Sequence, residues 1–155
     1  MRIRDATLDD GSMIADFNAR MAQETEGLTL DALKLERGVR AALSDPGKAS
    51  YFLAEIDGKI AGQLMITHEW SDWRNGDIWW LQSVYVEKEF RRRGLFRELY
   101  RFVRDRAAKR GAVGMRLYVD AANTSAQQTY TSLGMLVTNY KVMEEMFAAH
   151  GSERR

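Results

Sequence analysis

Between residues 81 and 100 the chain passes without a break from a β-branched and aromatic run, through a basic turn with one glycine, into an amphipathic helix pattern: Leu81-Gln-Ser-Val-Tyr-Val-Glu-Lys-Glu-Phe-Arg-Arg-Arg-Gly-Leu-Phe-Arg-Glu-Leu-Tyr100. A strand that turns directly into a helix sets the helix N-terminus beside the strand end. The first N–H groups there lack intrahelical partners, the macrodipole adds partial positive charge, and Gly94 has no Cβ to hold a ligand off the backbone. Such a segment receives phosphate, and it predicts chemistry with a phosphorylated cofactor.

At 155 residues and 45% apolar content, the chain has material for one core. The expectation is a single domain over 1–150, with 151–155 a frayed tail. With no Cys there is no disulfide framework, no thiolate nucleophile and no Cys-based metal site. The opening Met1-Arg-Ile-Arg-Asp-Ala-Thr7 lacks the apolar core of a signal peptide, and no apolar run approaches a membrane span. A cytoplasmic protein without a membrane partner is expected. The formal net charge of +1 gives no general attraction to nucleic acid, so none is expected as a partner. Local charge comes from Arg91, Arg92, Arg93 and Arg97, which suits a small anion. His68 and His150 are far apart and neither has metal-ligand spacing, so no metal is expected.

Residues 3–7 read as a first strand. Asp9 or Asp10 is placed to cap a helix carrying Met13, Ile14, Phe17 and Met21, and a second helix follows Thr29. Two strand patterns, 51–56 and 59–67, flank Asp57-Gly58, a two-residue hairpin signal with the positive φ values of a type I′ turn. Residues 68–77 read as a polar connection, and 78–86 as a central strand interrupted by Gln82 and Ser83. Leu95, Leu99, Phe102, Val103 and Ala107 stripe the next helix. A short strand at 115–119 follows, then a helix from Asn123 as N-cap to Leu133 with Gly134 beyond its end, and a closing strand pair over 135–147.

This order of elements resembles the GCN5-related N-acetyltransferase superfamily across nearly the whole chain. The family's phosphate signature, Arg/Gln-x-x-Gly-x-Gly/Ala, is matched by Arg91 and Gly94 at its first and fourth positions, while Phe96 departs from it at the sixth. A later family segment pairs a helix-starting Asn with a Tyr seven positions on and a Leu-Gly-Phe-like end, which Asn123, Tyr130 and Leu133-Gly-Met135 reproduce. One subgroup is also similar in a Glu-Trp-Ser-Asp-Trp-Arg-like loop, here residues 69–74. The resemblance implies an α/β (α+β) fold with a mixed, mostly antiparallel sheet of about six to seven strands and about four flanking helices.

It also implies acetyl-CoA as cosubstrate. Its pyrophosphate would lie against the N–H groups of Arg92, Arg93, Gly94, Leu95 and Phe96, with Arg91 and Arg93 as candidate side-chain contacts. Its pantetheine arm would pair with the backbone of Val84, Tyr85 and Val86, one N–H of which polarises the thioester carbonyl. Asn123 would brace the backbone near the cofactor. Tyr130 would supply the leaving thiolate with a proton, although a helix Tyr is more often core. Where some relatives carry a strand glutamate as base, this chain has Trp80, which leaves Glu69 as the candidate base ahead of Glu24, Glu26, Asp77 and His68. The implied activity is transfer of acetyl to a primary amine, a small molecule or a peptide, by direct attack in a ternary complex. The alternative is a non-catalytic acyl-CoA-binding module of the same fold. A homodimer is possible, as in relatives.

Overall fold

The structure, a computed structural model, describes residues 1–147. Two compact units divide the chain, Met1–Tyr118 and a second that begins at Val119. The expected tail at 151–155 and His150 lie outside the described residues.

In the first unit one mixed sheet has the order β1-β2-β3-β4-β5, with β1 at Arg2–Asp5, β2 at Ser50–Ile56, β3 at Lys59–Ser71, β4 at Gly76–Val86 and β5 at Gly114–Leu117. All neighbours are antiparallel except β4 and β5, which run parallel. Three helices belong to this unit, α1 at Gly11–Glu26, α2 at Ala32–Ser44 and α3 at Leu95–Lys109.

Alternation along β2 explains the layering, because successive side chains of a strand point to opposite faces. Tyr51 and Leu53 join Ile14 of α1 and Val39 of α2 in one buried cluster. Phe52 turns the other way and meets Phe102 of α3, ring centroids 5.9 Å apart. The sheet is thus covered on both faces, and each Leu, Ile or Phe buried there contributes about 1.5–3 kcal/mol. Between β2 and β3, Asp57 (φ 50°) and Gly58 (φ 77°) adopt the positive angles expected of the turn.

Local signals set the helix ends. Thr7 and Asp10 cap each other's backbone at the 3-10 turn Leu8–Asp10 that leads into α1. Gly27, at φ 65°, ends α1 and returns its N–H to the carbonyls of Ala22 and Gln23. Asp31 caps α2 by accepting from Lys34 N at 2.8 Å.

Two expectations are corrected here. Residues 68–77 are not a polar connection. His68 pairs with Trp79, Glu69 with Ile78, Trp70 with Asp77 and Ser71 with Gly76, so β3 and β4 run on as a hairpin arm despite polar side chains. Cross-strand pairing of large residues, such as the edge-on contact of His68 and Trp79 at 5.5 Å, outweighs composition there. The six to seven strands expected are also not met: the described residues form five, and the stretch 135–147 carries no strand. Its apolar side chains, Leu136, Val137, Tyr140, Val142 and Met143 among them, are exposed. A strand-like pattern becomes a strand only where a neighbour supplies the ladder.

The second unit contains α4, Thr124–Ser132. Asn123 caps it by accepting from Ala126 N at 3.0 Å. Past its end Gly134 takes φ 96° and returns its N–H to Thr131 O. In all, the described residues form four α-helices.

Candidate active site

Strand β4 changes character halfway along. Up to Leu81 it is paired on both sides, with β3 and, from Ile78↔Gly114 to Leu81↔Leu117, with β5. There the β5 ladder stops. Beyond it, Val84, Tyr85 and Val86 have β3 on one side and no strand on the other among the described residues. A strand edge of this kind offers N–H and C=O groups to an extended ligand.

Ser83 sits at that fork with φ 47°, unusual for a residue with a Cβ. Register with β3 shifts across it: Gln82 lies opposite Met65 and Tyr85 opposite Gln63. This is a bulge, the device that re-aims a strand's groups next to sites.

After β4 the chain makes a short 3-10 turn, Lys88–Phe90, and reaches the arginine turn. Arg92 stands at φ 61° and Gly94 at φ 77°, ψ 4°, with α3 starting at Leu95. A left-handed residue followed by right-handed ones swings successive N–H groups to one side, making an anion-binding concavity at the helix start. The first helical bond runs from Glu98 N to Gly94 O at 3.2 Å. Gly62 of β3 lets these parts approach closely, since a Cβ there would lie 2.9 Å from Tyr85 O and 3.0 Å from Leu95 Cδ2.

The arginines divide their work. Arg91 is held inward: its Nε donates to Val86 O at 2.8 Å, its Nη2 to Glu24 at 2.6 Å, and its guanidinium lies 5.5 Å from the Tyr85 ring centre. Arg91 therefore braces the turn against β4 and α1. Glu24's carboxyl is held below its ordinary pKa, chiefly by that hydrogen bond. Arg92 is exposed, and Arg93 is exposed above the Phe90 ring. Phe96, in the first turn of α3, packs its ring towards Tyr100, centroids 6.2 Å apart. Tyr85 is buried, flanked by Phe17 at 4.9 Å and by the Arg20 guanidinium at 5.7 Å.

Farther along the same sheet face, Trp80 Nε1 donates to Glu69 Oε2, and Arg116 Nη1 reaches that oxygen at 3.0 Å. Tyr118 leans on the Trp80 ring at 4.5 Å. The Trp80 hydrogen bond, then Arg116, hold the Glu69 carboxyl below its usual pKa. An ionised carboxylate with two donors is a weak proton acceptor. Gln82 Nε2 donates to Thr67 Oγ1 at 2.7 Å on the same strip. Sequence reasoning missed Arg116 and Thr67; the one signal for them is their place opposite Trp80 and diagonal to Gln82, visible only once register is known.

In the second unit, Asn123 is the α4 cap described above, and Tyr130 lies in the second turn of that helix with its phenol pKa raised by burial. Among the described residues no group of three or more His, Asp or Glu side chains could hold a metal ion, and no helix is long and apolar enough to cross a membrane.

Comparison with known proteins matches these features to a family. A crystal structure of a possible acetyltransferase from Clostridium difficile 630 superposes with a TM-score of 0.88 at 45% sequence identity, covering 94% of this chain and 97% of that one. A predicted acetyltransferase from Clostridium acetobutylicum, solved with acetyl-CoA, shares the fold with a TM-score of 0.77 at 17% identity over 98% of this chain and 99% of that one. Among curated proteins, an uncharacterized N-acetyltransferase in the pepI 3′ region of Lactobacillus delbrueckii subsp. lactis is 28% identical over 97 residues, 60% of this chain. The match spans 54% of that protein, about half its length. The family description Acetyltransferase (GNAT) matches residues 14–135, most of the first unit together with α4. The chain belongs to the acetyltransferase (GNAT) family.

Proposed function

We propose that this protein is an N-acetyltransferase that moves acetyl from acetyl-CoA to a primary amine by direct attack in a ternary complex. One observation carries the reading: the open edge of β4, its bulge at Ser83 and the left-handed Gly94 at the start of α3 follow one another along one continuous segment. An extended thiol arm and a diphosphate need these two kinds of backbone site in this order. The residues present fit the cosubstrate, because among the described residues, its two chain neighbours aside, nothing lies within 4 Å of where a Gly94 Cβ would stand.

In this reading Val84, Tyr85 and Val86 bind the pantetheine arm through their backbone. The Val84 N–H donates to the thioester oxygen and stabilises the charge that develops there. The turn from Arg92 to Phe96 holds the diphosphate, with Arg93 as the side chain free of the Glu24 clamp. The neutral amine forms a C–N bond to the acetyl carbon, the C–S bond breaks, the amine loses a proton to solvent or base, and the thiolate gains one. Tyr130 is assigned that last proton on its offset from Asn123, the family motif. Asn123 braces the helix that carries it.

Glu69 has a modified role here. Held ionised by Trp80 and Arg116, it orients the indole wall and favours a cationic acceptor more than it takes a proton. The N-acetyltransferase name of the Lactobacillus relative supports an amine as acceptor.

Purified protein mixed with acetyl-CoA and a panel of primary amines should release free thiol only when a competent amine is present. Acetyl-CoA binding by calorimetry without thiol release across small-molecule and peptide amines would instead favour the non-catalytic binding module.

A further inference from the structure

Asn18 and Gln63 are the two polar side chains, among the described residues, that the core buries, at 6% and 0% exposure. A buried amide without partners costs about 1–3 kcal/mol, and a Met or Leu would fill the Gln63 site at no such cost. Gln63 keeps its place even though its Oε1 is one of the buried polar atoms that finds no hydrogen-bond partner. Packing alone does not account for that choice.

Its hydrogen bonds do. The Gln63 amide donates both its N–H groups, one to Asn18 Oδ1 at 2.7 Å and one to the carbonyl of Ser83 at 3.3 Å. Asn18 in turn donates to the Tyr51 hydroxyl at 3.1 Å. A buried chain therefore runs from β2 through α1 and β3 to the single residue at which β4 bulges. The carbonyl of Ser83 and the N–H of Val84 belong to one planar peptide unit, and no peptide bond among the described residues is cis. In a trans unit these two groups point in opposite directions. A hydrogen bond that draws the Ser83 carbonyl towards Gln63 of β3 thereby aims the Val84 N–H away from β3, to the side that β5 has left.

We propose that the Tyr51–Asn18–Gln63 chain is a positioning device that fixes the direction of the Val84 N–H. These three are positioning residues, since none reaches the reacting atoms. The inference rests on the acetyltransferase reading given above, in which that N–H meets the thioester oxygen.

Gln63→Met keeps volume and removes both donors. Steady-state kinetics with acetyl-CoA and the best amine of the panel should show kcat reduced about 10–100-fold, with the KM for acetyl-CoA within about threefold of wild type, because an oxyanion donor loses its alignment while the diphosphate site is untouched. Thermal stability should stay level or rise. Equal kcat, or a fall in kcat that simply tracks lost stability, overturns the proposal. Amide NMR separates this inference from the proposed function. In wild type, acetyl-CoA should shift the Val84 and Gly94 amide resonances; in Gln63→Met the Gly94 shift should persist and the Val84 shift should shrink by at least about half. Identical Val84 shifts in both proteins overturn the positioning role even if no amine turns over. Should Gln63→Met fail to fold, Asn18→Leu removes the middle of the chain and must lower kcat in the same selective way.

Discussion

The indole N–H of Trp80 donates to Glu69 Oε2 at 2.5 Å, and Arg116 binds the same oxygen at 3.0 Å. A carboxylate so placed is a poor base and a good anchor. Glu69→Gln should lower kcat/KM for a cationic amine about 3–10-fold while leaving the shape of the pH–rate profile unchanged, because the group titrates below its ordinary range. Loss of the acidic limb of that profile would instead make Glu69 the base.

Burial raises the Tyr130 phenol above its ordinary pKa of 10.0, so it stays protonated through neutral pH, the form a general acid requires. Tyr130→Phe should bind acetyl-CoA as wild type does by calorimetry and turn over at least about tenfold more slowly. Unchanged turnover removes Tyr130 from the mechanism.

Gly62 should tolerate nothing larger. In Gly62→Ala the new methyl meets the backbone oxygen of Tyr85 at 2.9 Å and Leu95 Cδ2 at 3.0 Å, so β4 and the start of α3 must give way. Urea denaturation should show a loss of about 1–3 kcal/mol, and acetyl-CoA affinity should fall with it.

Gly94→Ala separates strain from crowding. The new Cβ has open space, so the cost to folding is the left-handed conformation alone, about 1–2 kcal/mol. Relaxation of that strain redirects the turn's amides, and the Kd for acetyl-CoA, measured by calorimetry, should rise several-fold more than for an Arg97→Ala control.

The Arg4–Asp10 pair predicts how stability responds to acid. Arg4 binds Asp10 through two nitrogens at 2.8 Å and lowers its pKa from 3.8 to about 2, with the Thr7 N–H assisting. The depressed value means that the contribution is complete above about 4 and is lost as pH falls towards 2. Asp10→Asn should cost about 1–2 kcal/mol at pH 7 in chemical denaturation, and the gap from wild type should close below pH ~2.

Much of the local backbone geometry could be read from the sequence. Asp57-Gly58, Gly94, Asn123 and Gly134 each carry a backbone demand that few residues meet, so their local geometry follows from identity. Gln82-Ser83 announced the break in β4 by being polar in an apolar run. What stayed hidden depends on register. Gln63 reads as an ordinary polar strand residue until it is seen under Ser83, and Arg116 as a surface cation until β5 sets it beside Trp80. Composition misled at 68–77, where long-range pairing continued a strand through polar residues, and at 135–147, where an apolar pattern found no ladder. The inward engagement of Arg91 by Glu24 joins residues 67 positions apart, beyond the reach of any local pattern.

The bulge at Ser83 has a genetic consequence. Gln82 and Tyr85 both look to the α1 side, an even and an odd position of one strand, so the sheet carries the equivalent of a one-letter frameshift. Point substitutions near it leave that phase alone, whereas losing a single codon would restore a regular strand in which Tyr85 keeps its face and its place opposite Gln63 but the bulged Ser83–Val84 peptide is gone. Lineages of this protein should therefore vary freely in side chains here while holding the spacing between Trp80 and Gly94 fixed.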